Sequence, residues 1–265
     1  MRGGAGSSTG ATTAAAEEAT PPPSRRLRVC LTGFNDWVNL TPESGSTWRS
    51  RENPSSRLLL GAASDSPPFL RGGALATVLR RTCNDVDWSF QTLPTLWKTS
   101  CCIDYFFFDL VIHLGLGVYD NTNTILLERG AYNLRGDFPD AEGHPPPARK
   151  LCAHAPLGHT LEVPPRVARG IEAAAALTAL PGGFHVAVEN AREDNAYICN
   201  ETNWRALEAV AAAEVAGAQA SLRAAYFIHL PYPRVEDEYG PMAEAVAEVI
   251  KALVLDLRAA TADSG

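Results

Sequence analysis

Apolar positions fall into two kinds of run along this chain. Short continuous stretches bounded by turn residues read as buried strands. They are Leu27 to Thr32 closing at Gly33-Phe34, Trp88 to Leu93 stopped by Pro94, Asp109 to Gly115, Thr124 to Asn133, Phe184 to Val188 and Ala225 to Pro231. Between them lie stretches of helical period. One opens at Asn53-Pro54-Ser55, with Asn53 as the cap and Leu58, Leu59 and Ala62 as its apolar positions. Ala74 to Arg81 is a second, and Val167, Ile171, Ala174, Ala175 and Thr178 mark a third, ended by Pro181-Gly182-Gly183. A fourth spans Asn203 to Ala216, with Trp204, Leu207, Val210 and Ala211 on one face. The last opens at Pro241 and buries Met242, Val246, Val249, Ile250, Leu253 and Leu257. Trp97 to Phe107 reads as helix, although the aromatic run Tyr105 to Phe108 fits either period. Strands and helices alternate, which predicts an α/β fold: a three-layer α/β/α sandwich around a mostly parallel, twisted central sheet.

The polar stretches divide the chain. Residues 1–26 are Gly, Ala, Ser, Thr and Pro, too poor in apolar surface to offset the entropy of ordering, and are expected to be a disordered tail. A single domain is expected over 27–258, followed by a short tail over 259–265. Asp36 to Asn53 reads as a long functional or inserted loop, and Gly136 to Gly158, rich in Pro and Gly, as a surface excursion.

Composition narrows the function. The formal charge of −7 over 265 residues, with no basic cluster longer than Arg25-Arg26, gives no reason to expect a nucleic-acid partner. The apolar runs are interrupted by His or Gly and too short to span a bilayer, so no membrane association is expected. The N-terminus lacks the basic and apolar regions of a secretory signal. Six cysteines occur without a CxxC pair, a spacing that suits neither a zinc site nor a disulfide framework. A reducing, cytoplasmic setting is expected, with no metal and no cofactor.

Candidate chemistry gathers at strand ends. Cys199 follows the strand at Val186 and precedes a helix, where partly positive backbone N–H groups favour a thiolate. His229 lies near the end of the strand at Tyr226, and Glu128 on or beside the strand at Thr124. A thiol nucleophile needs a base, and the base needs a third group to fix its tautomer; Cys199, His229 and Glu128 supply that set. Read separately, each has a plainer role: a small core thiol, a hydrogen-bonded core imidazole, and half of a surface ion pair with Arg129.

Three blocks resemble pyroglutamyl peptidase I, the pyrrolidone-carboxylate peptidases. Ile125-Leu-Leu-Glu128-Arg129 with Asn133 is similar to that family's catalytic-Glu block, Tyr197-Ile-Cys199-Asn200 to its nucleophile block, and Phe227-Ile-His229-Leu-Pro231 to its His block, in the family's order. Thr32-Gly33-Phe34, Asn53-Pro54-Ser55 and Leu93-Pro94 fall where the family has short motifs. The resemblance spans about Arg28 to Leu257. It implies Cys199 as nucleophile, His229 as general base and acid, and Glu128 as the residue orienting His229. The substrates it implies are peptides with an N-terminal pyroglutamate, held in a flat slot formed by Phe34, Trp37 and Tyr197. It implies neither metal nor cofactor.

The chain also departs from the family. Gly33-Phe-Asn-Asp-Trp37 replaces the usual Gly-Phe-Pro-Phe-Gly, the turn Arg192 to Ala196 is longer, and Val118 to Thr122 lacks the Arg of microbial members. Three other readings stay open: a cysteine amidase or peptidase of altered specificity, a non-catalytic binding protein on the same fold, and a phosphorylase-like enzyme using Gly115-Leu-Gly117. The oligomeric state is not legible.

Overall fold

The computed structural model describes residues 25–35, 53–61, 74–117, 123–217, 220–233 and 236–262. In order these form β1 (Leu27–Phe34), α1 (Pro54–Leu60), α2 (Ala74–Thr82), β2 (Val86–Leu93), β3 (Leu110–Leu116), β4 (Thr124–Glu128), β5 (Gly130–Tyr132), β6 (Thr160–Glu162), α3 (Pro165–Ala175), β7 (His185–Glu189), α4 (Ile198–Ala216), β8 (Ala224–Leu230) and α5 (Tyr239–Ala262).

Six strands make one sheet in the order β2-β1-β3-β8-β4-β7. Neighbours are parallel except β4 and β8, which are antiparallel. The expected α/β/α layering around a mostly parallel sheet is what forms, with β4 and β7 reversed against the other four strands. On one face α2 and α3 pack against α5, and α1 packs between α2 and β1. On the other, α4 lies over β3 and β8 and also touches β5. The central strands are mostly apolar because both faces are covered: β3 and β8 are buried at every position. Helix α5 buries Met242, Val246, Val249, Ile250 and Leu253 completely, and each such side chain contributes about 1.5–3 kcal/mol.

The start of the domain is pinned by a short polar motif. Asn53 Oδ1 accepts from the Ser55 amide at 3.1 Å and from its hydroxyl at 2.7 Å, capping α1. Ser55 Oγ in turn accepts from the Phe34 amide at 2.9 Å, fixing the end of β1 to the start of α1. That approach needs a glycine, since a Cβ on Gly33 would lie 2.6 Å from the Ser55 carbonyl oxygen.

Several boundaries differ from those expected, each for a physical reason. Thr124 to Asn133 is two strands. The chain leaves the main sheet after Glu128, and β5 pairs instead with β6 in a two-stranded sheet. Trp97 to Phe107 is not an α-helix but two 3₁₀ turns, Thr99–Cys102 and Tyr105–Phe107, entered through Lys98 in the left-handed region at φ 65°. The helix expected from Asn203 begins at Ile198, which moves Cys199 into its first turn. At the N-terminal boundary, Arg25 and Arg26 are tied to the domain through Asp109 at 2.8 Å and Asp87 at 3.2 Å. At the C-terminal end α5 continues past residue 258 to Ala262. The rest of the expected tails, most of the loop from Asp36 with Trp37 in it, Ala62, and Val118 to Thr122 lie outside the described residues.

Among the described residues no helix is long and apolar enough to cross a membrane, and no cluster of His, Cys, Asp and Glu could hold a metal ion. All six cysteines are free thiols.

Candidate active site

The polar run Asn200-Glu-Thr-Asn203 looks like surface in the sequence. In the fold all four residues are buried, and tertiary partners take up the side chains of Asn200, Glu201 and Asn203. Asn200 Nδ2 donates to the carbonyls of Tyr132 at 2.7 Å and Leu134 at 2.9 Å, while its Oδ1 accepts from the Tyr132 amide at 2.7 Å. Glu201 pairs with Arg135, both side chains at 4% exposure or less, and also accepts from the Lys98 amide at 3.1 Å. Asn203 reaches Glu128 and the Gly130 carbonyl. These bonds anchor the first two turns of α4 and let the helix start at Ile198. Cys199 is left partly exposed in the first turn, and Tyr197 at the cap position provides no side-chain acceptor for the free amides there.

His229 stands on the same side of the sheet. Its Nδ1 is 3.0 Å from Oε1 of Glu128. The Cys199 side chain is near enough to act on the same ring electrostatically. Strand register explains the meeting. Leu126 pairs with His229 across the antiparallel β4–β8 contact, so Glu128, two residues on, is a diagonal neighbour on the same face. Because β4 is reversed, the two residues do not share one carboxyl edge of a parallel sheet, as had been expected. They meet on the sheet face beneath α4. Burial alone disfavours the imidazolium. The Glu128 carboxylate, with a smaller pull from Cys199, outweighs it, so His229 is raised to about 10.

The floor of this site is aromatic. Phe227 meets His229 edge to face with centroids 4.9 Å apart, and Phe34 lies 6.4 Å from Phe227 on the far side. Gly115 is paired with His229 across β3 and β8, and a Cβ there would come within 2.8 Å of the Phe227 ring and 3.0 Å of the His229 ring. Behind Phe227, the fully buried His113 bonds to Thr32 Oγ1 at 2.7 Å and Tyr105 OH at 3.2 Å. Desolvation lowers His113 to about 3, so it is neutral.

The two described slot residues differ in burial. Phe34 is 2% exposed and forms part of the core behind Phe227. Tyr197 is half-buried, edge-on to Trp97 at 5.4 Å, and donates its hydroxyl to the Pro139 carbonyl at 3.0 Å. Trp37 lies outside the described residues. Asn133, from the Glu block, is a loop organiser: its amide serves the carbonyls of Cys152, Ala155 and Pro156, and its oxygen the amides of Leu151 and Cys152. The stretch from Gly136 to Gly158 is irregular, as expected, and Asn133 and Arg135 tie it to the domain.

Four further residues border the site without having been singled out from sequence. Asn195 Nδ2 donates to Glu128 Oε1 at 2.5 Å, and Asn203 Nδ2 to Oε2 at 3.1 Å. Glu189 pairs in register with Glu128 on the same face, and Arg192 binds it at 2.6 Å. Burial raises Glu189, against the pull of Arg192. Asn203 had a readable signal. It lies four residues after Cys199, and on a helix that spacing puts both on one face. Asn195 had none, since its reach depends on the path of the turn.

No protein-family model matches the chain, and no curated protein sequence matches it. Solved structures do. Pyroglutamyl peptidase I of Bacillus amyloliquefaciens is 20% identical, with a TM-score of 0.53 over 86% of this chain and 97% of that one. The pyrrolidone carboxyl peptidase of Thermococcus litoralis is 18% identical, with a TM-score of 0.57 over 88% and 95%. A mutant of the enzyme from Pyrococcus furiosus is 18% identical, with a TM-score of 0.57 over 87% and 100%. Over nearly the whole length of those chains, this protein has the fold of the pyroglutamyl peptidase I structures.

Proposed function

We propose that the protein is a cysteine peptidase that removes an N-terminal pyroglutamyl residue from peptides. The observation that carries this reading is the chain of contacts from Cys199 through His229 to Glu128, on a fold shared with pyroglutamyl peptidases. His229 takes the thiol proton, and the sulfur attacks the carbonyl of the pyroglutamyl residue. First-turn amides of α4 supply donors for the oxyanion. The imidazolium returns its proton to the departing amine, leaving a thioester. Water, activated by His229, then adds to the thioester, releasing pyroglutamate and restoring the thiol. Glu128 orients the imidazole so that its other nitrogen is directed at sulfur.

Of the aromatic groups, Tyr197 is the one we assign to the lactam ring, because it is half-buried beside Cys199. Phe34 backs the site through Phe227. Six free thiols fit a reducing, cytoplasmic setting.

The test is hydrolysis of a chromogenic pyroglutamyl amide by the wild type and by Cys199→Ala. Activity that disappears in the variant and under a thiol alkylator supports the reading. Full activity in the variant overturns the assignment of the nucleophile. Alanyl and prolyl amides in parallel separate this specificity from that of another cysteine amidase.

A further inference from the structure

We propose that Asn195 and Asn203 are positioning residues, an amide clamp that holds the Glu128 carboxylate aimed at His229. The inference deepens the proposed function and rests on it for its kinetic arm only.

Glu128 is 4% exposed, so water cannot satisfy its oxygens freely. Each oxygen has an amide donor. Oε1, which faces His229 Nδ1 at 3.0 Å, accepts from Asn195 at 2.5 Å. Oε2 accepts from Asn203 at 3.1 Å. Asn203 is itself fixed, because the same nitrogen gives its second proton to the Gly130 carbonyl at 2.9 Å. Neutral amides suit this task. They stabilise the buried carboxylate by hydrogen bonding, yet add no positive charge to compete with the imidazolium. An arginine in either place would spend the carboxylate's field on itself.

The two donors come from different elements. Asn203 lies one helical turn beyond Cys199 on α4. Asn195 belongs to the turn entering that helix, braced by Arg192 to Glu189 at 2.6 Å and to Asp194 at 3.2 Å. Nucleophile and clamp therefore ride together on α4 and its approach, while Glu128 and His229 belong to the sheet. The lengthened turn, the part of the chain least like the resembled family, gains a purpose: it delivers Asn195.

The experiment uses the full chain with labelled histidine, the His229 signal being assigned with His229→Gln. The His229 titration midpoint is read by NMR, and kcat and KM by pyroglutamyl amide hydrolysis. The charged and titratable groups acting on His229 are Glu128 on β4, Cys199 on α4 and Glu189 on β7, with Arg192 and Asp194 on the turn acting in turn on Glu189, and the substitutions leave all of them in place. Asn195→Ala and Asn203→Leu are each expected to lower the midpoint by about one pH unit and kcat by about tenfold, with KM changed less than about twofold. Asn195→Gln, which keeps an amide donor, is expected to recover part of both. An unchanged midpoint in both donor-less variants overturns the clamp, as does a fall in kcat with no shift in the midpoint. Midpoint shifts in the variants, together with a wild type that does not cleave the amide, sink the proposed function and leave the clamp standing. Should Asn203→Leu fail to fold, Asn195→Ala, on a half-buried turn position, carries the test alone.

Discussion

His229 Nδ1 and Glu128 Oε1 lie 3.0 Å apart although their strands run in opposite directions. The contact depends on register: Leu126, not Glu128, is the direct partner of His229, and the longer glutamate side chain covers the diagonal. Glu128→Gln keeps the shape but removes the charge, and it sets an NH2 donor against one of the two asparagine donors. Turnover is expected to fall about a hundredfold or more, with a lowered thermal unfolding midpoint and the fold retained. Steady-state kinetics with circular dichroism checks this; an unchanged rate would assign the third role elsewhere.

The two buried histidines respond to pH with opposite sign. His229 is raised to about 10, so its contribution to stability is full below its ordinary value of 6.5 and is lost as pH climbs toward 10. His113 is lowered to about 3, so the unfolded chain binds a proton there that the folded one refuses, and stability falls as pH drops from 6.5 toward 3. Urea unfolding across pH is expected to show a weaker alkaline decline in His229→Gln and a weaker acid decline in His113→Gln. The same slopes in wild type and variants would refute the assignment.

Gly115 is a site residue through what it lacks. In Gly115→Ala the new methyl meets the Phe227 and His229 rings within 3.0 Å, and the ring with the looser hold must shift. The expected cost is about 1–3 kcal/mol of stability, together with a loss of kcat larger than the loss of KM. Activity at wild-type level, measured on folded protein, would show that the rings have room.

The buried pair of Arg135 and Glu201 ties the irregular 133–159 segment to the first turns of α4. Arg135 also donates to the carbonyls of Ala148 at 3.1 Å and Lys150 at 2.7 Å. Glu201→Gln leaves the guanidinium without its counter-charge and is expected to cost about 3 kcal/mol in urea unfolding. Arg135→Met combined with Glu201→Leu should cost less than the sum of the two single changes, since neither charge is left behind.

The apolar pattern by itself determined the layers. Short, mostly apolar runs such as Leu110 to Leu116 and Ala224 to Leu230 read as strands because a strand covered on both faces loses its polar alternation, and the runs are too short for a buried helix. The helical period at Met242 to Leu257 is equally direct, because that helix buries one stripe against its neighbours. The residue types at Cys199, His229 and Glu128 were legible too, since thiol, imidazole and carboxylate in one domain point to a single kind of chemistry. Tertiary structure decided what depends on partners distant in sequence. It reversed β4, ended that strand at Glu128, and began α4 five residues early by burying Asn200, Glu201 and Asn203. It also withdrew Phe34 into the core and brought Asn195 onto the glutamate. Local sequence encodes period and residue chemistry; register, and the partner that satisfies each buried polar group, exist only once the sheet and its covering helix are assembled.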